Sequence, residues 1–292
     1  MTQKKITKIV FPAAGLATRF LPATKTVPKE LFPLVDKPLL QYAVEEAKEA
    51  GIDEFIFVIS ARKDAIRQHF AREEALEQYL ADIGKQAYAD IIRACALPDD
   101  AVHIIHQDEP RGLGHAVWLA RDVVGDAPFA VLLPDDAILA KTGALKQMVD
   151  FGAAHPGSSL VAAQDVAPEQ VHMYGVIDGA AEYGHLRVRS LVEKPSREAA
   201  PSATAIIGRY ILQPEIFGIL DKMVHAPRGK GEIQLTDAIS ELAATAPVYG
   251  FRFDGRRYDC GHCAGLIEAA VAFALQRPDI APGLREKLAA LL

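Results

Sequence analysis

The sequence predicts an α/β protein with a Rossmann-like, mostly parallel central sheet and helices on both faces. Three observations carry that prediction. Short segments that are apolar throughout recur along the chain, amphipathic helical segments separate the early ones, and a loop of small residues follows the first. A strand covered on both faces reads as a continuous apolar run rather than an alternating one. Strands and helices in alternation build βαβ units and hence a parallel sheet.

Ile9-Val10-Phe11 is the first strand, and it empties into Pro12-Ala13-Ala14-Gly15-Leu16-Ala17-Thr18-Arg19. Leu39 to Ala50 places Leu40, Ala43, Val44 and Ala47 on one helical face, and Gly51 ends that helix as a C-cap. Phe55 to Ile59 is the second strand. Residues 64–96 are charged and helix-rich and read as an insertion outside the sheet. Val102 to His106 is a strand, and Gly112-Leu113-Gly114-His115 opens a helix from about Ala116 to Val124. Phe129 to Leu133 and Leu160 to Ala163 are further buried strands. From Gly175 to Leu212 strands and turn signals dominate, which predicts a mixed or antiparallel extension. Leu235 to Ala244 and Gly265 to Leu275 are helices, the second with Leu266, Ile267, Ala270, Val271 and Ala274 on one face. With no repeat, low-complexity tract or linker, 1–292 reads as one domain. Its core covers about 6–262 and its C-terminal helical tail about 263–292.

Half of the 292 residues are apolar and 24% are charged, as in a soluble globular protein with a full core. A net charge of −6 argues against a nucleic-acid partner, so an anionic substrate would need a local cationic patch. Met1-Thr2-Gln3-Lys4-Lys5 has no apolar signal core and no stretch is long enough to span a bilayer, so a cytoplasmic location without a membrane partner is expected. Cys95, Cys260 and Cys263 do not make a disulfide framework. Cys260-Gly261-His262-Cys263 lacks the second ligand pair of a zinc site and lies far from an early strand, where a redox motif belongs. Packed thiols are expected instead.

Ligands of open parallel sheets bind beyond the carboxyl ends of the strands. The loop after the first strand is therefore either a polyphosphate site or a surface loop with solvated cations. Its small residues let backbone N–H groups approach an anion, and Arg19, Lys25 and Lys29 supply charge. Pro134-Asp135-Asp136 ends another strand; the acids could be solvated, cap the next element, or hold a hard cation such as Mg²⁺ together with substrate phosphates. Asp259 precedes a helix and could be its N-cap or a metal ligand. Glu193-Lys194 is either a surface ion pair or a lysine on a phosphate beside a glutamate on a polyol. A P-loop is absent, and a single glycine in the first loop disfavours a dehydrogenase.

The opening loop, continued through Leu21-Pro22-Ala23-Thr24-Lys25 and Pro28-Lys29-Glu30, resembles the signature of the sugar-nucleotide pyrophosphorylase family. The likeness recurs in order in Val35-Asp36-Lys37-Pro38-Leu39, Gly112-Leu113-Gly114-His115-Ala116, Leu133-Pro134-Asp135 and Val192-Glu193-Lys194-Pro195. It continues through Gly208-Arg209-Tyr210, the segment from Gly231 to Ile239, and Asp259-Cys260-Gly261. It spans residues 9 to about 270 and implies a nucleotidyltransferase fold. The longer loop ending in Lys29-Glu30 points to the uridylyl branch, which implies conversion of UTP and glucose 1-phosphate to UDP-glucose and pyrophosphate. Such a reaction needs no protein nucleophile, only positioning and charge neutralisation. The resemblance further implies Mg²⁺ as cofactor and a homo-oligomer, dimer or tetramer.

Carried over by position, the resemblance implies backbone approach to the nucleotide at Ala13, Ala14 and Gly15, with Arg19 and Lys29 facing the triphosphate. It implies uracil recognition by Glu30 and Gln107 with the backbone of Gly112, and Mg²⁺ on Asp135 and Asp259. Lys194 falls on the sugar phosphate, and Glu193 with the backbone of Gly175 on glucose hydroxyls. Two departures stand out. Ala17 replaces a usual second glycine and must take a negative φ or carry strain. His262 and Cys263 follow Asp-Cys-Gly where Asn is common, and are expected to be peripheral. The alternatives are a thymidylyl- or cytidylyltransferase acting on another sugar 1-phosphate, or a non-catalytic sugar-nucleotide sensor. The joint presence of Arg19, Lys29, Asp135 and Lys194 speaks against the sensor.

Overall fold

The apolar runs lie side by side in one sheet. The structure, a computed structural model, describes residues 4–227 and 231–291. Met1, Thr2 and Gln3 of the N-terminal segment, and Leu292 of the tail, lie outside the described residues. The strands are β1 (Lys8–Pro12), β2 (Pro33–Leu34), β3 (Lys37–Pro38), β4 (Glu54–Ile59), β5 (Val102–His106), β6 (Phe129–Leu132), β7 (Asp136–Leu139), β8 (Ser159–Asp165), β9 (Gly175–Glu182), β10 (His185–Glu193), β11 (Thr204–Leu212), β12 (Val248–Arg252) and β13 (Arg256–Asp259). The helices are α1 (Leu39–Glu49), α2 (Ala65–Phe70), α3 (Glu74–Asp82), α4 (Gln86–Cys95), α5 (Leu113–Leu119), α6 (Arg121–Val124), α7 (Ala144–Ala154), α8 (Ile216–His225), α9 (Leu235–Ala243), α10 (Cys263–Ala274) and α11 (Ala281–Leu291). Among these, no helix is long and apolar enough to cross a membrane.

The main sheet runs β5-β4-β1-β6-β11-β8-β12-β10-β9, with two small two-stranded sheets, β13-β7 and β2-β3, beside it. β5, β4, β1 and β6 are mutually parallel, in the register Phe55↔Val102, Ile9↔Phe55 and Ile9↔Ala130. β11 then runs antiparallel to both β6 and β8, and β12 returns parallel to β8. β9 and β10 form the expected antiparallel extension. Their hairpin turns on Tyr183 and Gly184 at φ 51 and 78, the left-handed pair that a two-residue turn requires.

Side chains alternate across the strands, so each run feeds two cores. On one face Ile9, Phe11, Phe55 and Phe57 pack with α1, α2 and α7. On the other Val10, Ile56 and Val58 pack with α5, α8 and α9. Helices thus cover both faces, as the apolar runs predict. A third cluster joins Leu34, Leu39, Tyr258 and Cys260 to α10.

Some boundaries differ from expectation for local reasons. α1 does end through Gly51 at φ 83, whose N–H and that of Ile52 close on Lys48 O and Ala47 O. The expected helix at 116–124 begins earlier, at Leu113, because Gly112 turns the chain at φ 97. It also divides at Ala120, whose N–H reaches back only three residues to Val117 O. α10 starts at Cys263 because His262 caps it, Nδ1 accepting from the Gly265 N–H at 3.0 Å. His262 is therefore a structural cap.

One buried cation ties β11 to α1 and β7. Arg209 on β11 is 2% exposed. Its guanidinium donates to Glu46 Oε2 at 2.8 Å and to Asp136 O, and Glu46 also accepts from the Leu145 N–H at 3.0 Å. Removing one partner of a buried pair leaves the other uncompensated. Arg209→Ala should therefore lower unfolding stability by about 3–5 kcal/mol, read as an earlier urea midpoint at unchanged m-value. A loss no larger than that of an exposed pair would contradict this linkage.

Candidate active site

Two backbone hydrogen bonds extend the parallel ladder past its strands, and a third, from β6 to its antiparallel neighbour β11, helps fix the rim. Ala13 N–H donates to Val58 O at 2.8 Å, Gln107 N–H to Ile59 O at 2.8 Å, and Leu133 N–H to Gly208 O at 2.8 Å. The chain moves from β1 to β4 on one side and later to β6 on the other, so the topological switch point lies at β1. The crevice beyond such a point is where open α/β sheets bind ligands. Here a cleft of about 280 Å³ opens, lined among others by Ala14, Gly15, Lys29, Gln107, Gly112 and Asp135.

The loop over this cleft is anchored at Phe20, whose ring meets Phe32 edge-on at 5.3 Å. Ala13 is buried within the ladder, whereas Gly15 is exposed, and a Cβ there would meet nothing within 4 Å. Ala17 has φ 51 and ψ 46, so at the glycine-like position the chain keeps the left-handed turn and carries the strain. That turn lets Ala17 O accept from Phe20 N–H at 3.1 Å and Thr24 Oγ1 at 3.0 Å. Arg19 is exposed and lies outside the cleft lining. A second cleft of about 280 Å³, with Lys25 and Arg62 in its wall, opens behind the loop.

Lys29 and Asp135 meet across the mouth, Nζ to Oδ2 at 2.5 Å. Burial opposes the Lys29 charge, but Asp135, then Glu30 and Asp136, outweigh it and raise the ammonium above its ordinary value. Burial likewise opposes the Asp135 charge, and Lys29 outweighs it, holding that carboxyl below the usual range. Both groups are therefore charged at neutral pH. Glu30 is 2% exposed in the cleft wall, and both its oxygens accept from Lys63 Nζ, at 2.9 and 2.8 Å. Burial lowers the Lys63 ammonium more than Glu30 restores it.

Asp259 reaches the same mouth from β13. Cys260 N–H donates to Asp135 O at 2.7 Å, which fastens the two acidic loops together. Asp259 Oδ1 accepts from Gly261 N–H at 2.9 Å and does not cap α10, a role that falls to His262. Its Oδ2 accepts from Tyr174 OH at 3.3 Å and lies 3.4 Å from Arg257 Nη2. A Cβ on Gly261 would lie 2.9 Å from Asp259 Oδ1 and 3.4 Å from Asp135 Oδ2. The two carboxylates thus flank Gly261 from either side. That donor set suits a hard divalent cation completed by water and phosphate oxygens. Asp136 is not available to it: Oδ2 accepts from Gly208 N–H at 3.0 Å and Oδ1 from Arg257.

The β9–β10 hairpin brings the remaining candidates together. Glu193 sits opposite Gly175, and its Oε2 accepts from Thr236 Oγ1 at 2.6 Å. Burial and the Glu193 charge raise the neighbouring Asp237 carboxyl. Lys194 Nζ lies 3.3 Å from Glu193 Oε1, so the ion pair exists. Yet Lys194 has φ 44, a left-handed conformation costing about 1–2 kcal/mol, whereas a half-exposed pair contributes about 0–1 kcal/mol. The pair alone does not account for the strain. Lys194 N–H donates to Tyr174 O at 2.9 Å, so Tyr174 links this group to Asp259.

Ala14, Gly15, Lys29, Glu30, Gln107, Gly112 and Asp135 thus share one cleft, and Asp259 joins Asp135 at its mouth. Gly175, Glu193 and Lys194 form an adjoining group, and Arg19 stands apart. Residues passed over in the sequence complete the site. Arg257 carries a readable signal, since it lies two positions before Asp259 on a strand and hence on the same face. Tyr174, Thr236 and Lys63 carry none, because only the fold brings them in. Cys260 is fully buried, its thiol pushed up to about 12 by burial, as a packed thiol should be. Cys263 is exposed, its Sγ 3.9 Å from Arg19 O, because it begins a helix at the surface.

The model of the nucleotidyl transferase family matches residues 8–276. A Bacillus subtilis protein named UTP–glucose-1-phosphate uridylyltransferase is 45% identical over 278 residues, covering 95% of this chain and 94% of that one. A UTP-bound UGPase structure from Acinetobacter baumannii superposes with a TM-score of 0.89 at 36% identity, covering 98% of this chain and 100% of that one. A UDP-glucose pyrophosphorylase complexed with UDP-glucose gives 0.81 at 41% identity, covering 93% of this chain and 100% of that one.

Two outcomes follow from this geometry. Asp135 is ionised above its depressed pKa and Lys29 protonated below its raised one, so neither titrates between about pH 5 and 9. The pH profile of kcat/KM should carry no limb in that window that disappears in Lys29→Arg; such a limb would contradict the assignment. Ala17→Gly relieves the left-handed strain but frees the unfolded chain, for a net gain of about 0.5–1 kcal/mol in thermal unfolding. A loss of stability would mean that Ala17 is unstrained.

Proposed function

The chain belongs to the nucleotidyl transferase family, and we propose that it transfers a uridylyl group from UTP to glucose 1-phosphate, giving UDP-glucose and pyrophosphate. One observation carries the proposal: a charged Lys29–Asp135 contact at the lip of a cleft whose inner wall offers the Gln107 amide. The relatives named for UTP, UDP-glucose and glucose 1-phosphate support the same substrates.

A phosphate oxygen of glucose 1-phosphate attacks the α-phosphorus in line. A new P–O bond forms as the bond to the β-phosphate oxygen breaks, and pyrophosphate leaves with that electron pair. The protein contributes placement and charge. Backbone at Ala13, Ala14 and Gly15 lies along the nucleotide, Arg19 swings onto the outer phosphates, and Lys29 meets charge developing at the α-phosphate. Gln107, with Glu30 in the same wall and Gly112 behind, reads the base. Lys194 holds the sugar phosphate, and Glu193 with the Gly175 backbone holds the glucose ring. The family suits a divalent metal, and the Asp135 and Asp259 carboxylates flanking Gly261 favour Mg²⁺. When bound, Mg²⁺ would neutralise phosphate charge. The whole chain, 1–292, acts as one catalytic unit in this reading.

Pyrophosphate release with glucose 1-phosphate should be faster with UTP than with dTTP or CTP. Faster turnover with dTTP would make the enzyme a thymidylyl relative, and no turnover with any nucleotide would favour a sensor. Lys194→Ala should lower kcat/KM by about 10²–10³, equivalent to about 3–4 kcal/mol, with the thermal unfolding midpoint preserved. Unchanged turnover would remove Lys194 from the mechanism.

A further inference from the structure

His115 stands one layer behind the cleft and is buried there with Gln107, each 7% exposed. Gln107 Nε2 lies 3.2 Å from Gly112 O and 2.9 Å from His115 Nδ1. The two ends of an amide are told apart by their partners. A backbone carbonyl only accepts, so the nitrogen end of Gln107 faces Gly112. His115 Nδ1 must then accept as well, which makes the imidazole neutral with its proton on Nε2. The remaining end, Oε1, receives no donor among the described residues, and Gln107 lines the cleft.

Neither partner can shift easily. Ile233 N–H donates to Arg111 O at 2.7 Å and Gly114 N–H to Ile233 O at 2.8 Å, while a Cβ on Gly112 would come 2.7 Å from Ile233 O. The His115 ring stacks on Trp118, centroids 5.7 Å apart at 21°. Trp118 is itself pinned by Nε1–H donating to Asp221 Oδ1 at 3.1 Å and by the Arg121 guanidinium 3.8 Å over its ring. Burial, helped by nearby Arg111 against Glu109, lowers the His115 pKa and keeps the ring uncharged.

We propose that His115 is a positioning residue for base selection: by accepting at Nδ1 it fixes the Gln107 carboxamide with Oε1 toward the cleft, where Oε1 accepts from a base that carries hydrogen on N3. The proposal rests on the contact between Gln107 and uracil put forward above. Uracil offers N3–H to such an acceptor. Cytosine presents a bare N3 acceptor instead and would need the amide turned over. Thymine shares the N3–H of uracil, so this lock separates UTP from CTP and is blind to the difference between UTP and dTTP.

Steady-state constants for UTP, CTP and dTTP in wild type, His115→Phe, His115→Asn and Gln107→Leu test this. His115→Phe keeps a ring beside Trp118 but removes the acceptor. It should raise KM for UTP about tenfold with kcat little changed, and narrow the preference for UTP over CTP by about tenfold. The UTP-to-dTTP ratio should stay fixed. His115→Asn restores an acceptor near the Nδ1 position and should recover most of both effects. Unchanged constants in His115→Phe, or an equal loss for all three nucleotides, would overturn the proposal. If Gln107→Leu raises KM for UTP while His115→Phe is silent, the base contact stands and the lock fails. If Gln107→Leu is itself silent, the base contact fails and the lock with it. Should His115→Phe not fold, ¹⁵N spectra of the wild-type imidazole decide. The Nε2–H tautomer at neutral pH supports the lock, and an Nδ1–H tautomer or an imidazolium overturns it.

Discussion

Lys29 and Asp135 come from segments 106 residues apart, yet their charged atoms sit 2.5 Å from each other. That contact depends on β1 and β6 being adjacent and parallel, so that both chains leave the sheet on the same edge. Apolar side chains on both faces hold the strands there, with Val10 and Val131 in one core and Phe11 and Leu132 in the other. Taking two charges out of water is costly unless each meets its partner. The pair therefore stores an anion-seeking ammonium and a cation-seeking carboxylate side by side, each satisfied by the other until ligands arrive. In the proposed reaction the phosphates take the first and a divalent cation the second.

Around this pair the chain accepts local strain at two points on the site. Ala17 and Lys194 both occupy left-handed backbone without being glycine. Each belongs to a segment that carries candidate phosphate ligands. Non-glycine residues persist in such conformations only where the surrounding packing over-determines them. The surroundings here are stiff: Phe20 is anchored on Phe32, and Tyr174 ties the Lys194 backbone to the Asp259 carboxylate.

Much of this was legible in the sequence because burial on both faces leaves an unmistakable apolar signature. β1, β4, β5, β6 and β8 all fall where the sequence predicts strands, and several residues singled out at the carboxyl ends of strands line one cleft. β12 was not legible. Gly250 interrupts its apolar run, since a Cβ there would press within 2.8 Å of Ile177 Cδ1. β13 hides because its Arg and Asp serve Asp136 and the site rather than a core. The role of Asp259 as something other than a helix cap could not be separated from the sequence, because the residue that does cap, His262, is an unusual one. Gln107 was readable only through the family resemblance. The orientation of its amide depends on Gly112 and His115, which meet it through the fold.

The central claim is that phosphate chemistry takes place over the Lys29–Asp135 pair. A crystal structure of the protein with UDP-glucose and Mg²⁺ tests it most directly. The account predicts the diphosphate within hydrogen-bond reach of Lys29 Nζ, the metal on Asp135 and Asp259, and the glucose against Glu193 and Gly175. A diphosphate lodged instead in the cleft behind the loop, on Lys25 and Arg62, with the Lys29–Asp135 contact undisturbed, would contradict it.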